Sequence, residues 1–235
     1  IDVPNPRVGV ATLSTDFTIE QDYRRICHNI PIDIFVNRIP FDNPMTHENY
    51  LKMADRLPKI AENILPGQNL NTVAFGCTSG TVAIGEEKIT SQIRKSKPGV
   101  YVTTPITAAL RAFKKLNISK IAILTPYPKL VNQTVYKYLK DRQIEIDTFS
   151  GFNIDNDMDV AKVDPQHLIK TIKKINYSDV DAVFVSCTAL RIVEVLQEVE
   201  DFIKKPVISS NQAIIWDSIR SVNINSNING YGKLF

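Results

Sequence analysis

The chain has 235 residues, of which 43% are hydrophobic, 23% charged and 8% aromatic, a composition that is typical of a globular protein and excludes a disordered or fibrous one. Its 28 lysines and arginines and 25 aspartates and glutamates give a formal net charge of +3, and they are spread along the chain, so the sequence predicts no nucleic-acid partner. The apolar runs are far shorter than the roughly 20 residues of a membrane-spanning helix. An odd number of cysteines and the absence of a leader pattern predict free thiols in a cytoplasmic protein.

Short runs rich in β-branched residues alternate with amphipathic stretches along the whole chain. This alternation predicts an α/β fold in which mainly parallel sheets are flanked by helices. In chain order, the predicted elements are strand 8–13, helix 18–27, strand 32–36, helix 47–65, strand 72–75, helix 81–95, strand 100–103, helix 106–115, strand 120–124, helix 129–141, strand 145–149, helix 165–174, strand 182–185, helix 189–202 and strand 206–208.

The second half of the chain repeats the first. The segment VAFGCTSGT at 73–81 resembles VFVSCTALR at 183–191, which aligns Cys77 with Cys187. We therefore predict two similar α/β lobes related by a pseudo-twofold axis, with the active site in the cleft between them. Lobe 1 covers residues 1–103 and lobe 2 residues 104–215, although the helix after residue 104 can cross this boundary. Residues 216–235 are predicted to form a helix end and a loose, Asn-rich tail.

Cys77 and Cys187 both directly follow a predicted strand and precede a predicted helix. Ligands of open parallel sheets bind beyond the carboxyl ends of the strands, and a pseudo-twofold axis would make the two thiols face each other across one carbon atom. The start of a helix is expected to lower the pKa of such a thiol. Cys27 lies within a helical pattern and is expected to be a buried, unreactive thiol.

Three other kinds of site are not supported by the sequence. There is no Cys-x-x-Cys motif, and His28, His47 and His167 lack a ligand spacing to the cysteines, so we predict neither a metal site nor a Cys–His dyad. Glycine-rich motifs that hold dinucleotides or triphosphates are also missing.

The paired Cys-Thr motifs, the Thr-Pro-Tyr sequence at 125–127 and the duplicated lobes resemble the aspartate/glutamate racemase superfamily. The resemblance covers residues 5–220 and is strongest to the branch that holds maleate cis-trans isomerase, arylmalonate decarboxylase and ectoine-utilisation protein A. Residues 11–23, 186–191 and 209–213 are most similar to ectoine-utilisation protein A. Maleate isomerases have Asn at the position of Asp16, and an acid there would repel a dicarboxylate unless it is protonated or faces an ammonium group.

The resemblance implies cofactor-independent isomerase chemistry on a small carboxylate substrate. We expect a racemase or epimerase of an amino-acid-like carboxylate, in which one cysteine removes a proton and the other donates one from the opposite face. The similarity to ectoine-utilisation protein A suggests a role in ectoine or hydroxyectoine utilisation. The alternative is a maleate cis-trans isomerase, in which Cys77 adds to the double bond and Cys187 donates the proton. An arylmalonate-type decarboxylase and a two-lobed binding protein are weaker alternatives. Relatives also suggest a homodimer.

The expected substrate contacts include hydrogen-bond donors that stabilise a developing enediolate. Asp16 either contacts substrate or caps the helix that begins near residue 18. Arg191 either binds a substrate carboxylate or pairs with Glu194 on the helix surface. The remaining predicted contacts are Thr78, Ser79, Tyr127, Asn132, Thr188 and Asn211.

Overall fold

The computed structural model describes residues 5–235, which form two four-stranded parallel sheets. The first sheet contains β1 (Arg7–Leu13), β2 (Asp33–Ile39), β3 (Thr72–Gly76) and β4 (Tyr101–Thr103), in the order β2-β1-β3-β4. The second contains β5 (Lys120–Thr125), β6 (Glu145–Gly151), β7 (Ala182–Val185) and β8 (Val207–Ser209), in the order β6-β5-β7-β8. The two sheets share one strand order, and the predicted α/β fold is confirmed.

The inner strands are continuous apolar runs because helices cover both faces of each sheet. Every residue of β3 and β7 is buried. The helices are α1 (Ile19–Ile26), α2 (His47–Ala54), α3 (Leu57–Glu62), α4 (Thr78–Ile84), α5 (Glu86–Arg94), α6 (Pro105–Lys115), α7 (Lys129–Lys140), α8 (Asp157–Val160), α9 (Pro165–Ile172), α10 (Leu196–Ile203) and α11 (Ser210–Ser221). Within the described residues, none of them combines the length and apolar character that crossing a membrane requires.

Two of the predicted helices are interrupted. The helix predicted over 47–65 divides into α2 and α3, since the ring of Pro58 would clash with the carbonyl group of Ala54 in a continuous helix. The helix predicted over 81–95 begins earlier, at Thr78, and divides at Gly85, whose φ of +91° is compatible with glycine.

The helix predicted over 189–202 begins only at Leu196. Residues 188–195 form a loop because side chains from other elements bind its carbonyl groups. Asn211 Nδ2 donates to the carbonyl oxygen of Thr188 at 2.7 Å, and Thr18 Oγ1 donates to that of Ala189 at 2.9 Å. The start of this predicted helix is therefore wrong. No helix was predicted at α8, and only the end of α11 was predicted, as the helix end within residues 216–235.

The last helix, α11, connects the two halves of the fold. It packs against α1, β3 and β4 of the first half, against β8 of the second, and along α6. Two hydroxyl contacts connect it to the first half: Tyr23 to Ser218 at 2.8 Å, which is buried, and Thr72 to Ser221 at 2.6 Å, which is partly buried. The lobe boundaries inferred from the repeat stay a prediction, but α11 contacts both sheets.

The end of the chain is anchored. Leu234 is fully buried. The backbone N–H groups of Gly232 and Lys233 donate to Gln197 Oε1 at 2.9 Å and to Glu200 Oε1 at 2.8 Å. The predicted loose tail is thus wrong for residues 231–235, because side chains of α10 supply the hydrogen-bond acceptors that their local sequence lacks.

Candidate active site

Cys77 and Cys187 follow equivalent strands, β3 and β7, and lie in one buried site. Their exposed fractions are 4% and 5%. The two thiols are close enough that the charge of Cys77 raises the pKa of Cys187, and both thiols raise the pKa of Tyr50. All three cysteines of the chain are free. The third, Cys27, is buried directly after α1, and burial raises its pKa to about 12.

The thiol of Cys77 lies at the start of α4. Its Sγ accepts a hydrogen bond from the backbone N–H of Gly80 at 3.2 Å, and the hydroxyl group of Ser79 lies 4.0 Å away. A Cβ atom at Gly80 would lie 2.8 Å from this sulfur atom and 2.7 Å from Met53 Cε. Glycine is therefore required at position 80, because any side chain there would collide with the thiol.

Cys187 adopts an unusual backbone conformation, with a φ of +140°. Such a conformation costs on the order of 1–3 kcal/mol in a residue other than glycine and is found preferentially at functional sites. Its N–H group donates to Ser210 Oγ at 3.0 Å, and Thr78 Oγ1 donates to the same oxygen at 2.9 Å. Ser210 thus connects both Cys-Thr motifs.

The pKa values of the two thiols are raised. Burial is the largest cause, and it raises the pKa of Cys77 to about 12 despite the hydrogen bonds from Gly80 and Ser79. The pKa of Cys187 is raised in the same way, first by burial and next by the charge of Asp157. The expectation of lowered thiol pKa values is wrong, because loss of hydration outweighs a few N–H groups and because Cys187 precedes a loop instead of a helix.

The sequence left two roles open for Asp16, a cap for α1 and a contact to the substrate, and its two carboxyl oxygens can serve one role each. Asp16 is 1% exposed, and its Oδ1 accepts hydrogen bonds from the backbone N–H groups of Thr18 at 2.7 Å and Ile19 at 3.0 Å, which caps α1. Its Oδ2 has no hydrogen-bond partner. Burial raises the pKa of Asp16, and the charge of Asp16 in turn raises the pKa of both thiols. Its second oxygen is therefore available beside the site.

Asp157 is a site residue that the sequence analysis missed. It begins α8, is 4% exposed, and its Oδ2 accepts a hydrogen bond from Thr15 Oγ1 at 2.6 Å. Its charge raises the pKa of Cys77 and Cys187, while burial raises its own pKa to about 6. The signal that could have found it is its place after β6, at the same sheet edge as Cys187.

Tyr127 and Tyr50 complete the lining of the site. Tyr127 is 1% exposed, its hydroxyl group lies 3.4 Å from Ser186 Oγ, and the charge of Cys187 raises its pKa. Tyr50, which the sequence analysis also missed, is buried with a hydroxyl group that has no partner in the structure. A pocket of about 820 Å³ is lined by Tyr50, Ser79 and the exposed Leu130, and the hydroxyl group of Ser79 lies 4.0 Å from Cys77 Sγ.

The other predicted contacts differ in their position. Thr78, Ser79 and Thr188 are buried beside the thiols. Asn132 is a different case, since its amide group bonds Thr125 Oγ1 and, at 2.8 Å, the carbonyl oxygen of Tyr127. It therefore supports the 125–127 turn and faces a separate surface pocket.

Asn211 is held beside Cys187 by its amide group. Its Nδ2 donates to the carbonyl oxygen of Thr188 and, at 2.8 Å, to Asp22 Oδ2, while its Oδ1 is buried without a partner. Arg191 forms a two-point ion pair with Glu194 at 2.9 and 3.0 Å, as in the surface alternative. Among residues 5–235, no group of three or more potential metal ligands is present.

A family model described as arylmalonate decarboxylase matches residues 42–235. The chain belongs to the arylmalonate decarboxylase family. It is 21% identical to a maleate isomerase of Alcaligenes faecalis over 97% of this chain and 95% of that protein. It is 28% identical to an arylmalonate decarboxylase of Bordetella bronchiseptica over 58% of both proteins. A mutant of Nocardia farcinica maleate cis-trans isomerase with a covalently bound succinylcysteine intermediate shares the fold, with a TM-score of 0.90, 16% identity and 97% coverage of both chains.

Membership of the arylmalonate decarboxylase family confirms two predictions, the superfamily branch that holds arylmalonate decarboxylase and maleate isomerase, and a cysteine-based enzyme. The maleate isomerases that match almost the whole chain confirm the predicted enzyme class, an isomerase. The similarity to ectoine-utilisation protein A stays a prediction. The site offers two thiols, several hydroxyl groups and two buried carboxyl groups. It is thus suited to proton transfer or thiol addition at a carbon atom held between Cys77 and Cys187.

Proposed function

We propose that this member of the arylmalonate decarboxylase family is a cofactor-independent racemase or epimerase of a small amino-acid-like carboxylate. The observation that carries the proposal is that equivalent strands of two sheets place Cys77 and Cys187 in one buried site. In this reaction one cysteine, as thiolate, removes the proton from the carbon next to the carboxylate. The other thiol donates its proton to the opposite face, which inverts the configuration.

The carbon acid in such a reaction is weak, so the negative charge that develops on the carboxylate needs stabilisation. The hydroxyl groups of Thr78, Ser79 and Thr188, together with nearby backbone N–H groups, are suited to hold the enediolate. Tyr127 adds a buried phenol that stays protonated, because burial raises its pKa well above its usual value. A dry site strengthens each of these hydrogen bonds.

The resemblance also supports a wider proposal. It includes a role in ectoine or hydroxyectoine utilisation and a homodimer, while the three free cysteines support a cytoplasmic location. Sedimentation of the purified protein measures the oligomeric state, and a monomer at micromolar concentration would remove the homodimer from the proposal.

Maleate cis-trans isomerisation is the second candidate, favoured by the maleate isomerases that match 97% of the chain. Here the thiolate of Cys77 would add to one carbon of the double bond, Cys187 would donate a proton to the other, and rotation would follow about the resulting single bond. Return of a proton from that carbon to Cys187 would then break the C–S bond and release fumarate and the Cys77 thiolate. Asp16 and Asp157 count against it, since two buried carboxyl groups beside the thiols repel a dianion. Decarboxylation is weaker, because it needs only one protonating thiol.

Proton NMR in deuterium oxide tests these candidates. Single enantiomers of aspartate, 3-hydroxyaspartate and 2,4-diaminobutyrate derivatives, together with hydroxyectoine and maleate, are incubated with the enzyme. We expect racemisation with deuterium incorporation at the carbon next to the carboxylate. It should be lost in Cys77→Ala and in Cys187→Ala but retained in the control Cys27→Ala.

Conversion of maleate to fumarate without exchange on any amino-acid-like compound would favour the second candidate. Racemisation that survives in either thiol variant would contradict the two-thiol mechanism.

A further inference from the structure

Two buried carboxyl groups from different halves of the chain act on the same pair of thiols. Asp16 lies in the loop after β1, whereas Asp157 begins α8, and Thr15 links the two by donating a hydrogen bond to Asp157 Oδ2 at 2.6 Å. Each carboxyl group raises the pKa of Cys77 and of Cys187 by its negative charge. Asp16 also raises the pKa of Asp157. All four groups therefore belong to one site.

The hydrogen bonding of this site is incomplete. Asp16 is 1% exposed, yet its Oδ2 is not hydrogen-bonded. The neighbouring hydroxyl group of Thr188 lowers the pKa of Asp16 but donates to the carbonyl oxygen of Gly76 at 3.4 Å. A second acceptor, Asn211 Oδ1, is also buried and unpartnered, on a residue that bonds the backbone beside Cys187. A buried polar atom without a partner costs about 1–3 kcal/mol, and folded proteins rarely retain one without a functional reason. These two atoms are acceptors and require a donor, whereas the unpartnered hydroxyl group of Tyr50 in the same site can donate to a carboxylate group.

No cation of the protein compensates the two carboxyl groups. Within residues 5–235, neither Asp16 nor Asp157 forms a salt bridge. The guanidinium group of Arg38 pairs with Glu20 at 2.8 Å and reaches only the backbone oxygen of Asp16. Its attraction is the smallest of the influences on the pKa of the Asp16 carboxyl group. Burial raises the pKa of both carboxyl groups, so an ammonium group with three N–H donors would stabilise their charged forms and also bond the free acceptors.

We propose that Asp16 and Asp157 form a subsite for the protonated amino group of the substrate. The inference rests on the proposed function and narrows its substrate to carboxylates with an ammonium group beside the reacting carbon. Binding of the cation would offset the two negative charges that oppose ionisation of the thiols. It would therefore lower the pKa values of Cys77 and Cys187 when the correct substrate is bound, with the released proton passing to solvent.

Charged thiol reagents of similar size test this subsite without any knowledge of the substrate. The probes are 2-aminoethyl methanethiosulfonate, which is cationic, and 2-sulfonatoethyl methanethiosulfonate, which is anionic. Peptide mass spectrometry measures the rate of modification at Cys77 and Cys187. For each cysteine, the modification rate with the cationic probe is divided by the rate with the anionic probe. This ratio is then divided by the same ratio for the free thiol 2-mercaptoethanol, which corrects for the intrinsic reactivity of the two reagents. At pH 8, we expect at least about a tenfold preference for the cationic probe in the wild type.

Asp16→Asn and Asp157→Asn are the test variants, because asparagine retains the oxygen atoms that cap α1 and accept the hydrogen bond from Thr15. Each should lower the preference severalfold, whereas the exposed control Asp201→Asn should retain it. An equal preference in the wild type and both variants, or none in the wild type, would overturn the subsite. If the wild type racemises a substrate but both variants keep its probe preference, the subsite alone is refuted. If the wild type shows the preference and the variants lower it, but no thiol-dependent racemisation occurs, the proposed function alone is refuted.

Discussion

Replacement of Asp157 by asparagine should stabilise the protein at neutral pH. Burial raises the pKa of this carboxyl group from 3.8 to about 6. The folded protein therefore binds the proton more tightly than the unfolded chain, so this group favours folding below its unfolded pKa and loses that contribution as the pH rises through its folded pKa. A shift of about two pKa units corresponds to about 3 kcal/mol. Asparagine carries no charge and still accepts the hydrogen bond from Thr15.

The size of the effect depends on pH in a defined way. From the two pKa values, the free energy of unfolding of Asp157→Asn should exceed that of the wild type by about 1 kcal/mol at pH 4.5 and by about 3 kcal/mol at pH 7.5. Urea denaturation, followed by the fluorescence of Trp216 and by circular dichroism, measures both differences. The exposed Asp201→Asn should show no such growth with pH. A stability difference that is equal at the two pH values, or a variant less stable than the wild type at pH 7.5, would refute the reasoning.

Three further predictions concern the thiols and the packing around them. The pKa of Cys77 is raised to about 12, so at pH 8 this thiol should react with iodoacetamide roughly 2000-fold more slowly than a thiol of pKa about 8.5. A reaction rate near that of the free thiol would show that burial does not control the ionisation of Cys77. Ser210→Ala leaves the N–H group of Cys187 without its acceptor, so chemical denaturation should show a loss of about 1–3 kcal/mol; a loss below about 0.5 kcal/mol would mean that another acceptor replaces Ser210. Leu234→Ala should lower the free energy of unfolding by about 2–4 kcal/mol because this side chain is fully buried. The control Leu130→Ala, at a residue that is 76% exposed, should change it by less than about 0.5 kcal/mol. Equal effects of the two substitutions in chemical denaturation would contradict an anchored C-terminal segment.

Strand positions and the paired cysteines were accessible to sequence analysis because both depend on local pattern. Continuous apolar runs such as 182–185 predict strands buried on both faces, and the repeated Cys-Thr pair places each thiol at a strand end. The similarity between segments separated by 110 residues predicts two related sheets. Asp16 was identified differently, through the resemblance of residues 11–23 to ectoine-utilisation protein A.

Asp157 and Tyr50 were missed because neither lies in the repeat and neither has a local motif. Asp157 bonds Thr15, 142 residues away in the chain, and its charge raises the pKa of both thiols. The loop at 188–195 has an amphipathic sequence, but Asn211 and Thr18 bind its carbonyl groups and prevent a helix there. The C-terminal residues 231–235 bind to α10 for a similar reason.

The sequence by itself determined the order of the strands, the duplication of the α/β unit and the position of one thiol at the end of a strand in each half. These properties follow from hydrophobic periodicity and from residues adjacent in the chain. Only the tertiary structure decided the ionisation of the thiols, the backbone of Cys187 and the presence of Asp157 beside it. Burial, charge and hydrogen bonding depend on atoms brought together from distant parts of the chain, and the desolvation of Cys77 outweighs the local effect of its helix.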